Sequence, residues 1–133
     1  MVWVLDTNAC IRVLNGTSDA LVERMRGTDP AHIALCSVVK AELLYGARKS
    51  SRRADNLRLL DRFFMPLTSL PFDDACADQY GVIRTELETA GTPIGPNDLM
   101  IAATALANDA TLVTHNLQEF ARVPGLRLED WEA

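Results

Sequence analysis

Short apolar segments alternate with helix-like segments along the whole chain, and this alternation limits the possible folds more than any other feature. The apolar segments predict strands at residues 2–5, 32–36, 67–70, 111–114 and 126–128. Between them, apolar residues recur at the spacing of three and four that is typical of helices. Strands joined through helices pair in parallel, with helices covering both faces of the sheet. We therefore predict an α/β fold: a three-layer sandwich with a short parallel sheet of four to five strands.

The size and charge of the chain exclude several classes of protein. We expect residues 1–133 to form a single domain, because this length supports one hydrophobic core and no repeat or linker interrupts it. The net charge of −5 argues against a simple basic nucleic-acid binder. No apolar run approaches the ~20 residues of a membrane-spanning helix. Cys10, Cys36 and Cys76 form no CxxC pair, so we expect buried thiols in a reducing cytoplasm.

The first predicted strand ends on a carboxylate within the sequence VLDTN, residues 4–8. Asp6 has two interpretations at this point. It could cap the helix that follows, as aspartate often does. It could also stand at the edge of an active site, because the carboxyl ends of parallel strands are where such sites form.

Two further carboxylates lie close to predicted core positions. Ser37 is expected to cap a helix that ends near Arg48, and Glu42 lies on or beside its predicted buried face, formed by Val38, Ala41, Leu44 and Tyr45. Asp98 lies in the first turn of an alanine-rich helix, where it could simply favour the helix dipole. Carboxylates about 5 Å apart would repel by roughly 3 kcal/mol per pair at an effective dielectric of 20. If Asp6, Glu42 and Asp98 converge, a divalent cation is needed, and all-oxygen ligands suit Mg²⁺ or Mn²⁺.

Four segments in order resemble the motifs of the PIN domain, and more narrowly the VapC-type ribonuclease toxins of bacterial toxin–antitoxin pairs. The segments are VLDTN, SVVKAELLYGA, IGPNDLMIAATAL and LVTHNLQEF, and the ending VPGLRLEDW is similar to enteric members of this group. The resemblance covers nearly the whole chain. It implies a PIN-like sandwich and a metal-dependent endoribonuclease that cleaves RNA with a metal-activated water.

The resemblance also implies roles for individual residues. Asp6 and Asp98 would be the metal ligands, and Glu42 would complete the catalytic acids. The position matching a fourth acid, which is aspartate in many PIN domains, is Asn116. This departure removes one charge and puts a second tightly held metal in doubt. Thr7 and Thr114 would support the acids through their hydroxyl groups.

Partners and substrate follow from the same resemblance. The group forms homodimers that a VapB-like antitoxin inhibits, and enteric members point to structured RNA, with the anticodon loop of initiator tRNA as the leading guess. Six of the thirteen basic residues fall between positions 48 and 62. Arg48, Lys49, Arg52 and Arg53 are predicted to contact either the RNA or the antitoxin, or to form a solvated helix face. The face formed by Leu59, Leu60, Phe63 and Phe64 is either core or a surface covered by a partner.

Three other functions would each require a different set of residues. A receiver-like phospho-acceptor domain needs an acidic pair after the first strand and a late lysine, whereas this chain has one acid there and only Lys40 and Lys49. A small-molecule phosphohydrolase would keep the acids without the arginine cluster. A PIN domain reduced to RNA or protein binding would not need Asp6, Glu42 and Asp98 together.

Overall fold

A computed structural model describes residues 1–133. The strands are β1 (Trp3–Leu5), β2 (Ile33–Cys36), β3 (Thr68–Leu70), β4 (Thr111–Val113) and β5 (Leu128–Glu129). The helices are α1 (Thr7–Asn15), α2 (Asp19–Arg26), α3 (Ser37–Lys49), α4 (Arg53–Phe64), α5 (Asp74–Thr89), α6 (Pro96–Ala107) and α7 (Leu117–Phe120). A 3₁₀ turn, Pro30–His32, precedes β2.

The five strands form one parallel sheet in the order β3-β2-β1-β4-β5, which confirms the predicted α/β fold. β1 lies at the centre, with β2 on one side and β4 on the other. The chain therefore leaves β1 toward one half of the sheet and later returns to pair on its other side. Crevices open where strand order changes direction in this way, at the carboxyl ends of the strands. Asp6 follows β1 at that point.

The core lies on both faces of the central strands, and the helices cover it. Every residue of β2 and β4 is buried, as expected for interior strands of a parallel sheet. Ala102, Ala103 and Ala105 of α6 are fully buried, since small side chains let this helix approach its neighbours closely. The thiols of Cys10, Cys36 and Cys76 are free and buried, as predicted. Each helix is too short or too polar to span a bilayer.

Helix α3 differs from its prediction in two respects. The predicted inward face was wrong: Val39, Leu43 and Ala47 are buried, whereas Tyr45 is 67% exposed. Apolar residues occupy more than one stripe of this helix, so its sequence does not define which stripe turns inward. The predicted cap was also wrong, because β2 runs directly into α3: Cys36 holds the N-cap position without a side-chain bond, and Ser37 is the first helical residue.

Capping residues mark the ends of three other helices. Ser18 and Asp73 cap α2 and α5 through side-chain hydrogen bonds, and Gly16 ends α1 in the left-handed conformation. In α4, Leu60 is buried while Leu59 is 41% exposed. The predicted apolar face of α4 is therefore divided between the core and an exposed surface.

Candidate active site

Asp6 caps a helix and faces the sheet edge at the same time. Its Oδ1 accepts a hydrogen bond of 2.8 Å from the backbone N–H of Ala9, which makes it the N-cap of α1. Its Oδ2 accepts a bond of 2.6 Å from the Thr114 hydroxyl, which lies just after the neighbouring strand β4. The two interpretations of Asp6 are thus compatible, because one oxygen serves the helix and the other points along the edge.

Burial destabilises the charged form of the Asp6 carboxylate. Its side chain is buried, and burial raises the pKa of Asp6 above its ordinary value. Hydrogen bonds from Thr114 and Ala9 and the positive charge of Arg12 oppose that rise without cancelling it. A neighbouring cation would stabilise the charged form.

Glu42 reaches the same region from α3. It is half-buried, and its Oε1 accepts a hydrogen bond of 2.7 Å from the hydroxyl of Thr7, the residue after Asp6. Thr7 and Thr114 therefore each hold one carboxylate in position. Contacts of this kind orient metal ligands and catalytic acids in proteins.

Asp98, in the first turn of α6, is the electrostatic centre of the site. Its partial burial, its hydrogen bond to Glu119, and the charges of Glu119, Asp6 and Glu42 together raise the pKa of Asp98 to about 7. The first turn of a helix would by itself favour the charged form. Burial is the largest cause of the raised pKa of Asp98, and the neighbouring carboxylates add to it.

Glu119 is a site residue that the sequence prediction missed. Burial alone would raise the pKa of Glu119, but hydrogen bonds from the Gly95 N–H, Asp98 and the Asn116 amide outweigh it and lower that pKa. The bond from Gly95 is 3.1 Å long and the bond from Asn116 is 2.6 Å long. The donors favour the charged form of Glu119, and that charge contributes to the raised pKa of Asp98.

Asn116 lies at the edge but is turned toward this fourth carboxylate. Its backbone N–H donates to the Thr114 hydroxyl, 2.9 Å away, and its side-chain amide donates to Glu119. The acid that the resemblance sought at position 116 is thus supplied one turn later, within the same LVTHNLQEF segment. The spacing of three residues was visible in the sequence, but only the turn of α7 brings Asn116 onto Glu119, which reaches the start of α6 through the Gly95 N–H.

The basic cluster lies elsewhere. Arg52 and Arg58 both pair with Asp55, and Arg53 donates to the backbone carbonyl of Arg48. The Lys49 ammonium lies 5.8 Å from the ring centre of Tyr45. These residues occupy the far end of α3 and the start of α4, and the structure does not bring them to the carboxylates.

A polar groove of about 200 Å³ opens beside Asp6, with walls formed by Asp6, Asn8, Arg12, His115 and Asn116. No apolar side chain lines it. Amides, a guanidinium and an imidazole here face a carboxylate. The groove is therefore suited to a polar, charged ligand.

The donor set fits a hard divalent cation. Asp6, Glu42, Asp98 and Glu119 offer only oxygen atoms, which Mg²⁺ and Mn²⁺ prefer over the nitrogen and sulfur ligands that are common for zinc. Repulsion from Glu119, Asp6 and Glu42 contributes, after burial, to the raised pKa of Asp98. No three ligand atoms of these four carboxylates lie within 4.8 Å of one another. The one group with that spacing is His115, Asp130 and Glu132.

The stability of the metal-free protein should fall as pH rises. The pKa of Asp98 is raised from 3.8 to about 7, so its protonated form stabilises the fold below the lower value and this contribution is lost through the higher one. Asp6 is shifted in the same direction. We expect a decrease of about 1–2 kcal/mol, since solvent around the half-exposed pair screens the full effect. Thermal unfolding in EDTA across this pH range measures it.

Two controls assign this pH dependence. Asp98→Asn should flatten the curve, because the shifted carboxyl is gone, and saturating Mg²⁺ should flatten it in the unchanged protein. A metal-free protein that gains stability steadily between these pH values would contradict the crowded site.

The fold and the carboxylates define a PIN-type α/β domain, and the PIN domain family profile matches residues 3–126. Ribonuclease VapC2 of Rickettsia felis is 43% identical over 133 residues, covering 99% of both chains. The tRNA(fMet)-specific endonuclease VapC of Salmonella typhimurium is 40% identical over 129 residues, covering 97% of both. The chain belongs to the PIN-domain family and, within it, to the VapC ribonucleases.

Solved structures of VapBC complexes are similar to this chain over nearly its whole length. VapBC2 of Rickettsia felis bound to a promoter DNA fragment superposes with a TM-score of 0.92 at 42% identity, covering 98% of this chain and 99% of that one. DNA-bound VapBC of Salmonella typhimurium gives 0.93 at 39% identity, covering 98% of both chains. PIN domains are metal-dependent nucleases, so the chain is an enzyme of this class and not a receiver-like domain.

Proposed function

We propose that residues 1–133 form one PIN-like domain that acts in the cytoplasm as a Mg²⁺-dependent endoribonuclease, the toxin of a VapBC-type toxin–antitoxin pair. The observation that carries this proposal is a set of contacts at one edge of the sheet. Thr114 binds Asp6 and Thr7 binds Glu42, while Glu119 binds the Gly95 N–H at the start of α6, the helix that carries Asp98. The named activities of the relatives support the same conclusion.

Asp6 and Asp98 would hold the ion, Mg²⁺ or Mn²⁺. When bound, it would acidify a water and neutralise the charge that builds on the phosphate oxygens. Glu42, which Thr7 holds through a hydrogen bond, would accept the proton of the attacking water. The water oxygen forms a bond to phosphorus as the bond to the 3′ oxygen breaks, and the leaving oxygen takes up a proton. The products carry a 5′-phosphate and a 3′-hydroxyl.

The remaining polar residues orient this machinery. Thr114 holds Asp6, while Asn116 and the Gly95 N–H hold Glu119. Glu119 in turn contacts Asp98 and keeps a negative charge beside the second ligand. Asn116 is proposed to contribute to catalysis through this contact and through its free carbonyl oxygen.

The substrate is proposed to be structured RNA, and the leading candidate is the anticodon loop of initiator tRNA. A curated relative from Salmonella typhimurium is named as a tRNA(fMet)-specific endonuclease. Loops present unstacked nucleotides whose backbone can enter a narrow groove, whereas duplex RNA cannot. The open site beside Asp6 suits such a strand.

The partner is proposed to be a VapB-like antitoxin, and the active form a homodimer. An apolar groove of about 310 Å³ runs between α1, α3 and α4 and includes Ile11, Leu14, Leu43, Ala47, Leu59 and Leu60. Ile11 and Leu59 are each 41% exposed there. Arg48, Lys49, Arg52 and Arg53 lie in the chain between Ala47 and Asn56, which both line this groove, and we propose that they contact the antitoxin rather than RNA. The VapBC complexes among the structural relatives support such a pairing.

Metal removal tests the proposed activity. Purified protein, freed from any partner, is incubated with total RNA and Mg²⁺ or Mn²⁺, and the new 5′ ends are mapped. We expect discrete cuts, concentrated in tRNA loops, that carry 5′-phosphates and disappear in EDTA. Cuts that persist in EDTA, or the absence of cleavage in every RNA, would refute the proposal.

A further inference from the structure

The groove beside Asp6 contains a guanidinium and an imidazole that the proposed chemistry does not use. Arg12 projects from the last turn of α1, and His115 follows β4. Arg12 lies close enough to lower the pKa of Asp6. Arg12 therefore brings a positive charge into this polar groove, in a chain whose net charge is −5.

Both side chains are held from behind by the C-terminal segment. Arg12 Nη1 lies 3.2 Å from Glu132 Oε2, and His115 Nδ1 lies 2.9 Å from Asp130 Oδ2. The acids are the more buried members of the pairs, with side chains 12% and 13% exposed. Each of the two side chains therefore contacts an acid through one nitrogen. Nε2 of His115 and the other N–H groups of the Arg12 guanidinium remain available to a ligand.

The C-terminal segment is itself anchored. Trp131 is buried, and the Arg24 guanidinium lies 4.7 Å from the centre of its ring. Glu129 accepts hydrogen bonds from the indole N–H groups of Trp3, at 2.9 Å, and of Trp131, at 3.1 Å. The backbone N–H of Glu132 donates to Asp130 Oδ1 over 2.9 Å. Residues 129–132 are thus held in place by these contacts, and they in turn hold the side chains of Arg12 and His115.

We propose that Arg12 and His115 bind a phosphate of the RNA backbone next to the one that is cleaved, with Asp130 and Glu132 as their positioning residues. This inference depends on the proposed ribonuclease function. A planar guanidinium with free N–H groups matches phosphate oxygens, and the neighbouring amides of Asn8 and Asn116 supply further polar contacts. The positive charge of Arg12 beside Asp6 would let a chain of negative phosphates approach the acidic centre.

Binding is measured separately from cleavage. In an Asp98→Asn background with EDTA, fluorescence anisotropy of a short fluorescein-labelled single-stranded RNA is followed over a range of salt concentrations. Arg12→Gln is expected to weaken binding about 10-fold and His115→Gln a few-fold, as expected for the loss of charge-assisted hydrogen bonds. Arg12→Gln should also lower the slope of log K against log salt by about 0.7, the value for one phosphate of a single strand.

Further variants separate phosphate binding from a structural role. Arg12→Lys should restore the salt slope, because the charge is kept, without restoring full affinity. Asp130→Asn should raise KM for cleavage while kcat changes little. Arg26→Gln is the matched control: its side chain is 74% exposed, pairs only with Glu23 on its own helix, and should change nothing.

Three results would overturn the inference. Unchanged affinity and salt slope in both Arg12→Gln and His115→Gln, while the wild-type protein cleaves RNA, would reject the subsite and leave the ribonuclease function intact. A lower melting temperature without a change in slope would make Arg12 structural. Unchanged RNA affinity with weakened antitoxin binding would assign the groove to the partner. If the wild-type protein cleaves no RNA, the ribonuclease function fails whatever these binding measurements give.

Discussion

Asp6→Asn is expected to reduce RNA cleavage by about 10³-fold or more while leaving the fold intact, since metal and oxyanion stabilisation contribute several kcal/mol to such reactions. The substitution removes the charge that would hold the ion. Asparagine keeps an oxygen for the Ala9 N–H and an amide for the Thr114 hydroxyl, so the cap and the strand-edge contact persist. Because burial raises the pKa of Asp6, loss of this charge should also raise the melting temperature in EDTA.

Single-turnover cleavage at saturating RNA, titrated with Mg²⁺, measures this effect. Asp78→Asn is the control, because it removes the same charge from an exposed position on α5 and should cleave like the wild-type protein. If Asp6→Asn keeps most of its activity at any Mg²⁺ concentration, Asp6 is only a helix cap and the metal site must be placed elsewhere.

Phe120→Ala is expected to lower the free energy of unfolding by about 3–5 kcal/mol, the usual cost of removing a buried phenyl ring. Phe120 is 1% exposed, and it is the one buried residue of α7, the short helix that carries Glu119. A loss of this size is a large part of the ~5–15 kcal/mol that stabilises a typical domain. The same cavity should loosen the contact between Glu119 and Asp98, so cleavage should fall in the fraction that remains folded.

Urea unfolding with and without Mg²⁺ tests this prediction. Leu117→Ala should lower the free energy of unfolding far less, because the Leu117 side chain is 40% exposed and contributes little to the core. Equal losses from the two variants would show that α7 is not anchored through Phe120.

The alternation of strands and helices was predictable because each strand is a short apolar run, whereas in each helix apolar residues recur every three or four positions. The parallel sheet follows from these elements by the rules of chain connection. Bounds differed by a residue or two where elements join without a turn, as at Cys36 and Ser37. The buried face of α3 was not predictable, because its apolar residues fill several stripes and only packing against α1, α4 and β2 selects one.

The sequence by itself identified Asp6, Glu42 and Asp98 as candidate acids, because residue type and the element that carries each residue are local properties. It also contained Glu119, but without a reason to prefer it to Asn116. Only the tertiary structure decided that Glu119 meets Asp98, and that Asp130 and Glu132 hold His115 and Arg12 across 15 and 120 residues of sequence. The physical reason is that such contacts depend on the sheet order, in which β1, β4 and β5 lie side by side, and spacing along the chain does not encode that order.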